Sequence, residues 1–278
     1  MLMQVRRSLG MVRVVLHLVR GAVTMAVVLP FTGEAGRRRI VQAWSAGVLR
    51  IFGLDLEVEG VPPGQQNVRP LLLVGNHISW IDIYAFLTVA EIRFVAKSEV
   101  RSWPLIGWFA HNLGTIFVVR DRPRDAIRVG SEIRAALAAG EVVCVFPEGT
   151  TTDGSVVLPF SSVLLHSAVE TGVDVQPVSI AYQRPDGQPC TRTAFTGDTT
   201  LVGSIWALTA GERSTVRLSF LDAMPSVGAE RRALARAAED AVRSSLGHYP
   251  RPPLGGFPVP HPATSPDIPD APEAPIPA

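Results

Sequence analysis

The sequence predicts an α/β fold in which helices cover both faces of a mixed sheet. Seven short apolar runs alternate along the chain with longer stretches of helical periodicity. Runs such as residues 71–74 and 142–146 are apolar throughout, which is typical of strands buried on both faces, because a strand with one wet face alternates apolar and polar residues. The predicted strands are residues 54–58, 71–74, 92–96, 115–119, 142–146, 175–182 and 216–221.

Helical periodicity separates most of these runs and also precedes them. In residues 38–52, apolar side chains recur near helical spacing, and Gly53 follows as a natural helix stop. Further helices are predicted at residues 123–139 and 230–246. This alternation of strands and helices predicts one layered domain over residues 54–249.

The two ends of the chain differ from this domain. Residues 1–53 are predicted to form helices that associate with a membrane. In residues 250–278, eleven of the 29 residues are proline. Proline at this density prevents both helix and central strand, so this segment is predicted to be a disordered tail.

The composition favours a membrane over nucleic acid as the partner of this chain. Only 18% of residues are charged, below the roughly 25% of soluble globular chains, which fits a surface that partly faces an apolar medium. The net charge of +1 provides no field for nucleic acid, so no nucleic-acid partner is expected. The two cysteines favour free thiols in a reducing compartment. Arginines are concentrated in the first forty residues and indicate contact with anionic lipid: Arg6, Arg7, Arg13, Arg20, Arg37, Arg38 and Arg39.

The first helix has a polar stripe that bears on how it meets the membrane. Helical spacing places five residues on one face: Arg6, Arg13, His17, Arg20 and Thr24. A spanning helix would bury Arg13 and Arg20 at a few kcal/mol each, whereas a helix in the interface keeps them wet. The uninterrupted apolar part, residues 22–31, is too short to span and contains Pro30. We therefore expect a monotopic or re-entrant anchor; a true span and an ordinary amphipathic core helix are the alternatives.

A histidine and an aspartate follow the second predicted strand. His77 comes after the run 71–74, and Asp82 lies five residues later. Open α/β sheets bind ligands at the carboxyl ends of their strands. A carboxylate at this spacing can accept a hydrogen bond from one imidazole nitrogen and leave the other nitrogen as a base. Chance also supplies such a spacing in a chain with six histidines, so the pair by itself is only a candidate.

Other polar groups are predicted at the same edge of the sheet. Glu148 lies in a turn after the run 142–146, and the cations Lys97 and Arg120 follow their own predicted strands, where they would suit a phosphate or carboxylate. A plain turn and ordinary solvated strand ends are the alternative interpretations. Pro177 interrupts an apolar run, which indicates an edge strand, a bulge or a position lining a pocket.

Four motifs in this order resemble those of the glycerolipid (1-acyl-sn-glycerol-3-phosphate) acyltransferase family. His77 and Asp82 match its His-x4-Asp motif, residues 114–120 match the strand that ends in arginine, and residues 146–149 read Phe-Pro-Glu-Gly. Pro177 matches the fourth motif, and residues 97–108 resemble the linking segment. The resemblance covers residues 54–221 and implies a glycerol-3-phosphate acyltransferase-like fold.

The resemblance implies transfer of a fatty acyl group from a thioester to a lysolipid hydroxyl. His77 would be the base, and Asp82 would orient it. The residues expected to bind substrate are Lys97, Arg120, Glu148, Gly149, Thr150 and Pro177. The donor would be acyl-CoA or acyl carrier protein, with no cofactor and no metal, at the cytoplasmic face of the cell membrane. Backbone N–H groups of the Pro-Glu-Gly turn are candidate donors to the oxyanion.

Two departures leave the acceptor open. Thr151 stands where the family commonly has arginine, and Ser161 stands where many members carry a basic residue. Both changes remove positive charge, and the surrounding segments look closer to the branch with lyso-ornithine lipid acyltransferases. The expected acceptor is 1-acyl-sn-glycerol-3-phosphate, which would give phosphatidic acid, and a lyso-ornithine lipid is the alternative.

Two other functions remain as alternatives. A serine hydrolase could use His77 and Asp82 in a triad, but it needs a serine on a sharp elbow, and the chain has no Gly-x-Ser-x-Gly sequence. A non-catalytic lipid-binding membrane protein would leave the motifs unexplained. The sequence also lacks a Walker loop, a dinucleotide-binding glycine pattern and a zinc-type cluster.

Overall fold

The computed structural model describes residues 2–64, 70–119, 123–209 and 211–247. Within these residues, seven strands form one sheet in the order β1-β7-β6-β2-β5-β3-β4. Strands β6 and β7 pair antiparallel, and the other neighbouring strands pair parallel. The strands are β1 Leu54–Gly60, β2 Leu71–Gly75, β3 Arg93–Lys97, β4 Ile116–Val118, β5 Val142–Val145, β6 Val175–Gln183 and β7 Ser214–Phe220. The predicted mixed sheet is confirmed.

The α-helices of the described residues lie before, between and after these strands. They are α1 Leu2–Val23, α2 Glu34–Ile51, α3 Asp82–Val89, α4 Ile106–Asn112, α5 Pro123–Ala138, α6 His166–Thr171, α7 Leu201–Leu208 and α8 Arg231–Ser245. The helices predicted from periodicity at residues 38–52, 123–139 and 230–246 correspond to α2, α5 and α8. The prediction of a disordered tail in residues 250–278 falls outside the described residues.

Both faces of the sheet are buried, because successive side chains of a strand point to opposite faces. On β2, Leu73 belongs to a core that includes Leu49 of α2 and Phe86 of α3. Its neighbour Leu72 belongs to a second core on the other face, which includes Ile133 of α5. This explains why β2 and β5 are apolar throughout.

Pro177 lies inside the sheet. Strand β6 is the third strand in the order and pairs with β2 on one side and β7 on the other, so the edge-strand alternative for Pro177 is wrong. Pro177 is paired in register with Val74 of β2, and its carbonyl accepts from the N–H of Leu221 at 3.0 Å on the other side. The ladder between β6 and β7 begins only at Val178. A missing N–H is tolerated at Pro177 because it precedes this ladder.

The N-terminal helix is longer than its predicted apolar segment. Helix α1 continues through a π-helical turn, Thr24–Val28, and a 3-10 turn, Leu29–Phe31. The helical segment Gln4–Phe31 is long and apolar enough to cross a membrane.

The packing of α1 separates His17 from the other residues of the predicted polar stripe. His17 turns towards α2, where its Nε2 lies 2.9 Å from the carbonyl oxygen of Trp44 and the two rings stack at 5.1 Å. Gly10 and Gly21 allow the close contacts of α1 with Thr209 and Trp44. The opposite face of α1 is an exposed apolar row: Val5, Leu9, Val12, Leu16, Val19 and Val23.

Candidate active site

His77 and Asp82 form a hydrogen-bonded pair at the carboxyl end of β2. The Nδ1 atom of His77 lies 2.8 Å from Oδ2 of Asp82. Asp82 is the first residue of α3 and is fully buried, whereas the His77 side chain is 20% exposed. With Nδ1 engaged by the carboxylate, Nε2 is the nitrogen that can serve as a base. The predicted contact between these two residues is confirmed.

The loop between β2 and α3 folds around the carboxylate of Asp82. The backbone N–H groups of Ile78 and Ser79 donate to Oδ2 at 2.8 and 3.0 Å. The Asp82 N–H donates in return to the carbonyl of Ser79 at 3.0 Å. Three donors on one oxygen compensate for the burial of its charge and fix the direction in which His77 is held.

Strand β6 supports this loop from the side. The side chain of Asn76 donates to the carbonyl of Ile180 at 2.9 Å and accepts from the Ile180 N–H at 2.8 Å. A Cβ atom on Gly75 would stand 2.9 Å from the carbonyl oxygen of Val178, so the close approach of the strands depends on glycine here. The end of β2 is therefore held against β6 just before His77.

Tyr182 completes the hydrogen bonds of Asp82. Its hydroxyl donates to Oδ1 of Asp82 at 2.6 Å. Burial raises the pKa of Tyr182 well above its ordinary value, and the charge of Asp82 raises it further. The sequence analysis did not identify Tyr182, because it lies 100 residues from Asp82. The available signal was a phenol near the end of a mostly apolar strand.

Phe146 covers the face of the His77 ring. The two ring centroids lie 3.9 Å apart, and the ring planes are inclined by 5°. A stacked aromatic ring restricts rotation of the imidazole about its side-chain bonds. The phenylalanine of the Phe-Pro-Glu-Gly motif thus helps to set the orientation of His77.

Glu148 connects two loops of the site through backbone contacts. Its Oε1 accepts from the N–H of His77 at 2.8 Å, and its Oε2 accepts from the N–H of Leu158 at 3.0 Å. Burial raises the pKa of Glu148 to about 8, although these hydrogen bonds lower it. The carboxyl group lies beside the backbone of His77, as its position at a strand end predicted. Direct contact of Glu148 with a substrate remains a prediction.

The turn after Glu148 depends on Gly149, whose φ is +72°. A side chain at this φ would strain the backbone. The Gly149 N–H donates to the carbonyl of Phe146 at 3.0 Å, so it is engaged within the turn rather than free for an oxyanion. Gly149 is exposed and Thr150 is partly exposed, and their contact with a substrate remains a prediction.

The other predicted substrate-binding residues lie in three different situations. Lys97 is the exposed last residue of β3, at the same edge as His77 because β3, β5 and β2 are parallel. Arg120 lies outside the described residues. Pro177 is buried within the sheet, so any effect of Pro177 on a substrate would act through the strand.

Helix α8 holds the loop that follows the Pro-Glu-Gly turn. Arg243 donates to the carbonyl of Val157 at 2.8 Å and to Glu239 at 2.7 Å. Glu239 also accepts from the N–H of Phe160 at 3.1 Å. This buried ion pair fixes the segment that binds Glu148, and sequence reasoning missed it because α8 lies far along the chain.

Thr151 occupies a position where a cation was expected from the family resemblance. Its hydroxyl donates to the carbonyl of Phe195, and the Phe195 N–H donates to the carbonyl of Ile78 at 2.9 Å. The neutral Thr151 therefore joins the loop after the turn to the loop that contains His77.

The serine hydrolase alternative finds little support in the described geometry. Ser79 is fully buried, and its hydroxyl oxygen lies 3.4 Å from the N–H of Ile81, which leaves it poorly placed as a nucleophile. Among the residues that the structure describes, no group of three or more His, Cys, Asp or Glu side chains could hold a metal ion.

Comparison with known proteins identifies the family of this chain. The family model described as Acyltransferase matches residues 57–181. A lyso-ornithine lipid O-acyltransferase of Pseudomonas aeruginosa is 40% identical over 76% of this chain and 79% of its own. A 1-acyl-sn-glycerol-3-phosphate acyltransferase of Neisseria meningitidis is 32% identical over 75% and 81%.

The fold also matches a solved structure. The crystal structure of the 1-acyl-sn-glycerophosphate acyltransferase PlsC from Thermotoga maritima aligns with a TM-score of 0.62 and 25% identity, over 87% of this chain and 96% of that one. The match to the family model includes His77, Asp82 and Glu148. On this evidence, the chain belongs to the acyltransferase family.

Proposed function

We propose that this acyltransferase transfers a fatty acyl group from a thioester to the hydroxyl of a lyso-ornithine lipid, with His77 as the general base. The observation that carries the chemistry is the bond between His77 and the buried Asp82 at 2.8 Å. It supports one tautomer of the imidazole, with Nε2 available to the hydroxyl proton.

In this mechanism, Nε2 of His77 takes the proton of the acceptor hydroxyl while its oxygen attacks the thioester carbonyl carbon. The carbon–sulfur bond breaks when the tetrahedral intermediate collapses, and the leaving thiolate takes the proton from the imidazolium. Asp82 stabilises that imidazolium and does not accept the proton itself.

The charges near the site support this choice of acceptor. The neutral Thr151 and Ser161 stand where family members commonly carry positive charge, which a dianionic phosphate would need more than an ornithine headgroup with both signs of charge. The 40% identical relative is named for a lyso-ornithine lipid, whereas the relative named for 1-acyl-sn-glycerol-3-phosphate is 32% identical. These observations favour the acceptor that the sequence analysis held as the alternative.

A comparison of the two acceptors tests this assignment. Purified enzyme would receive lyso-ornithine lipid or 1-acyl-sn-glycerol-3-phosphate, each with acyl-CoA or acyl carrier protein, and products would be identified by mass spectrometry. We expect kcat/KM to be at least about tenfold higher with lyso-ornithine lipid, a difference of about 1.4 kcal/mol. Equal or higher kcat/KM with the phosphate acceptor would refute the assignment and restore phosphatidic acid as the product.

The location of the reaction is part of the proposal. The exposed apolar row of α1 would lie in the bilayer, and Arg6, Arg13 and Arg20 on its flank would meet anionic headgroups. This keeps the site at the cytoplasmic face, where the lysolipid acceptor and a cytoplasmic thioester donor can both reach it.

Replacing one residue of the apolar row tests the membrane contact. Leu16 is 64% exposed at the middle of the row, so Leu16→Asp should reduce the fraction bound to anionic phospholipid vesicles by about tenfold, since an aspartate there costs about 2.5–3.5 kcal/mol at full depth. Ile127→Asp is the matched control, because Ile127 is 73% exposed on α5. If both variants sediment with vesicles as the parent does, α1 is not the membrane anchor.

A further inference from the structure

The carboxylate of Asp82 has partners on both of its oxygens, and they come from different parts of the fold. Oδ2 accepts from His77, Ile78 and Ser79, all within the loop that precedes α3. Oδ1 accepts at 2.6 Å from the hydroxyl of Tyr182, near the end of β6. The charge that faces His77 is therefore shared with a residue on another strand.

We propose that Tyr182 is a positioning residue for acyl transfer, which acts on His77 through Asp82. The inference rests on the proposed function, in which His77 is the base. By donating to Oδ1, the Tyr182 hydroxyl draws negative charge away from Oδ2, so Asp82 stabilises the imidazolium less strongly. Tyr182 thereby sets the basicity of His77 and fixes the plane of the carboxylate.

The surroundings of Tyr182 make this bond a constant feature of the fold. The side chain belongs to the core between the sheet and α2, α3 and α7, and the residue is 4% exposed. Its backbone carbonyl accepts from the N–H of Cys190 at 2.8 Å, and Asn76 binds β6 two residues earlier. Because burial holds the pKa of Tyr182 well above its ordinary value, the phenol remains a donor across the working pH range.

The pH dependence of the reaction reports on this arrangement. Several described titratable or charged groups interact with this network besides His77. They are Asp82 on α3, Cys144 on β5, Glu148 in the turn after β5, Tyr182 on β6, Cys190 in the loop after β6, and Arg243 on α8. The pKa of Glu148 is about 8, so its titration falls on the alkaline limb of the kcat profile. The acid limb of the kcat profile is therefore the part to measure.

The first variant removes only the hydroxyl. In Tyr182→Phe, Asp82 keeps more charge on Oδ2 and makes His77 more basic, so the acid limb of kcat should move to higher pH by about half a unit. The plateau of kcat should fall about threefold to tenfold because the carboxylate loses one of its four hydrogen bonds. The acceptor KM should stay constant, since Tyr182 is buried and, in this proposal, acts on the reaction only through Asp82.

A second substitution predicts the opposite shift and protects the test against a folding defect. 3-Fluorotyrosine at position 182 is a stronger donor of nearly the same size, so it should move the acid limb to lower pH. Tyr84→Phe is the matched control: Tyr84 is a tyrosine on α3 itself, packed against Trp44 and Trp80 rather than bonded to Asp82, and its removal should leave the limb in place.

The outcomes separate this inference from the proposed function. If His77→Ala abolishes transfer but neither Tyr182 substitution moves the acid limb, Tyr182 is only a packing residue and the inference is overturned. If His77→Ala retains full activity, the proposed base itself fails. Opposite shifts with phenylalanine and 3-fluorotyrosine would establish Tyr182 as a positioning residue, because a packing defect does not reverse sign with donor strength.

Discussion

His77→Ala should reduce kcat by about 10²–10⁴-fold, the range that a positioned general base contributes. The variant removes the nitrogen that takes the hydroxyl proton. The acceptor hydroxyl would then have to be deprotonated by water, which is neither positioned nor basic enough. Acceptor KM should change little, because in the proposed mechanism His77 acts mainly in the transition state. Initial rates of thiol release across acceptor concentrations measure both constants.

The fold should survive this substitution. The His77 backbone N–H still donates to Glu148, and its carbonyl still accepts from Thr152 at 2.8 Å. His166→Ala is the matched control, because His166 is an exposed histidine on α6 whose Nε2 lies 3.6 Å from Glu170. A His77→Ala enzyme that transfers acyl groups within about threefold of the parent rate would remove His77 from the mechanism. Labelling by a fluorophosphonate probe would instead support the serine hydrolase alternative.

The parts of the fold that could be predicted are those that local sequence determines. An apolar run such as residues 142–146 must be buried on both faces whatever its neighbours are, so β5 could be identified without knowing the sheet order. His77 and Asp82 are close enough in the chain to meet within one loop. Residues 146–149 form a turn with a glycine at positive φ, which the sequence also indicates.

What could not be predicted depends on contacts between distant segments. Tyr182 meets Asp82 only because β6 lies beside β2, and Arg243 reaches Val157 only because α8 packs on the second face of the sheet. Pro177 misled the sequence analysis for the same reason. Proline disfavours a central strand because it lacks the N–H that a ladder needs. Here the ladder between β6 and β7 begins only after Pro177, so no ladder hydrogen bond is lost at this position. The contacts of Tyr182, Arg243 and Pro177 all depend on how distant elements pack in the sheet, which no local sequence pattern encodes.

The bond between His77 and Asp82 predicts a second large effect. Asp82→Asn should reduce kcat by about 10²–10³-fold. An asparagine fits the site if its oxygen takes the place of Oδ2 and keeps the bonds from His77, Ile78 and Ser79. Its amide nitrogen would then face Tyr182, whose hydroxyl can accept instead of donate. The shape of the site is preserved and only the charge is lost. The imidazolium that forms during transfer is therefore no longer stabilised.

The loss of the Asp82 charge should shift the pH profile of kcat in a defined direction, which can be measured. Without the carboxylate, His77 becomes less basic, so the acid limb of kcat should move to lower pH, opposite to the shift expected for Tyr182→Phe. Asp55→Asn is the matched control: it removes a carboxylate from an exposed ion pair with Arg213, a kind of pair that contributes about 0–1 kcal/mol, and it should leave kcat unchanged. An Asp82→Asn enzyme with the parent kcat and an unmoved acid limb would show that the charge of Asp82 does not act on His77. A large loss of kcat with a shifted limb and an unchanged melting temperature would mean that the charge acts on the base and not on the fold.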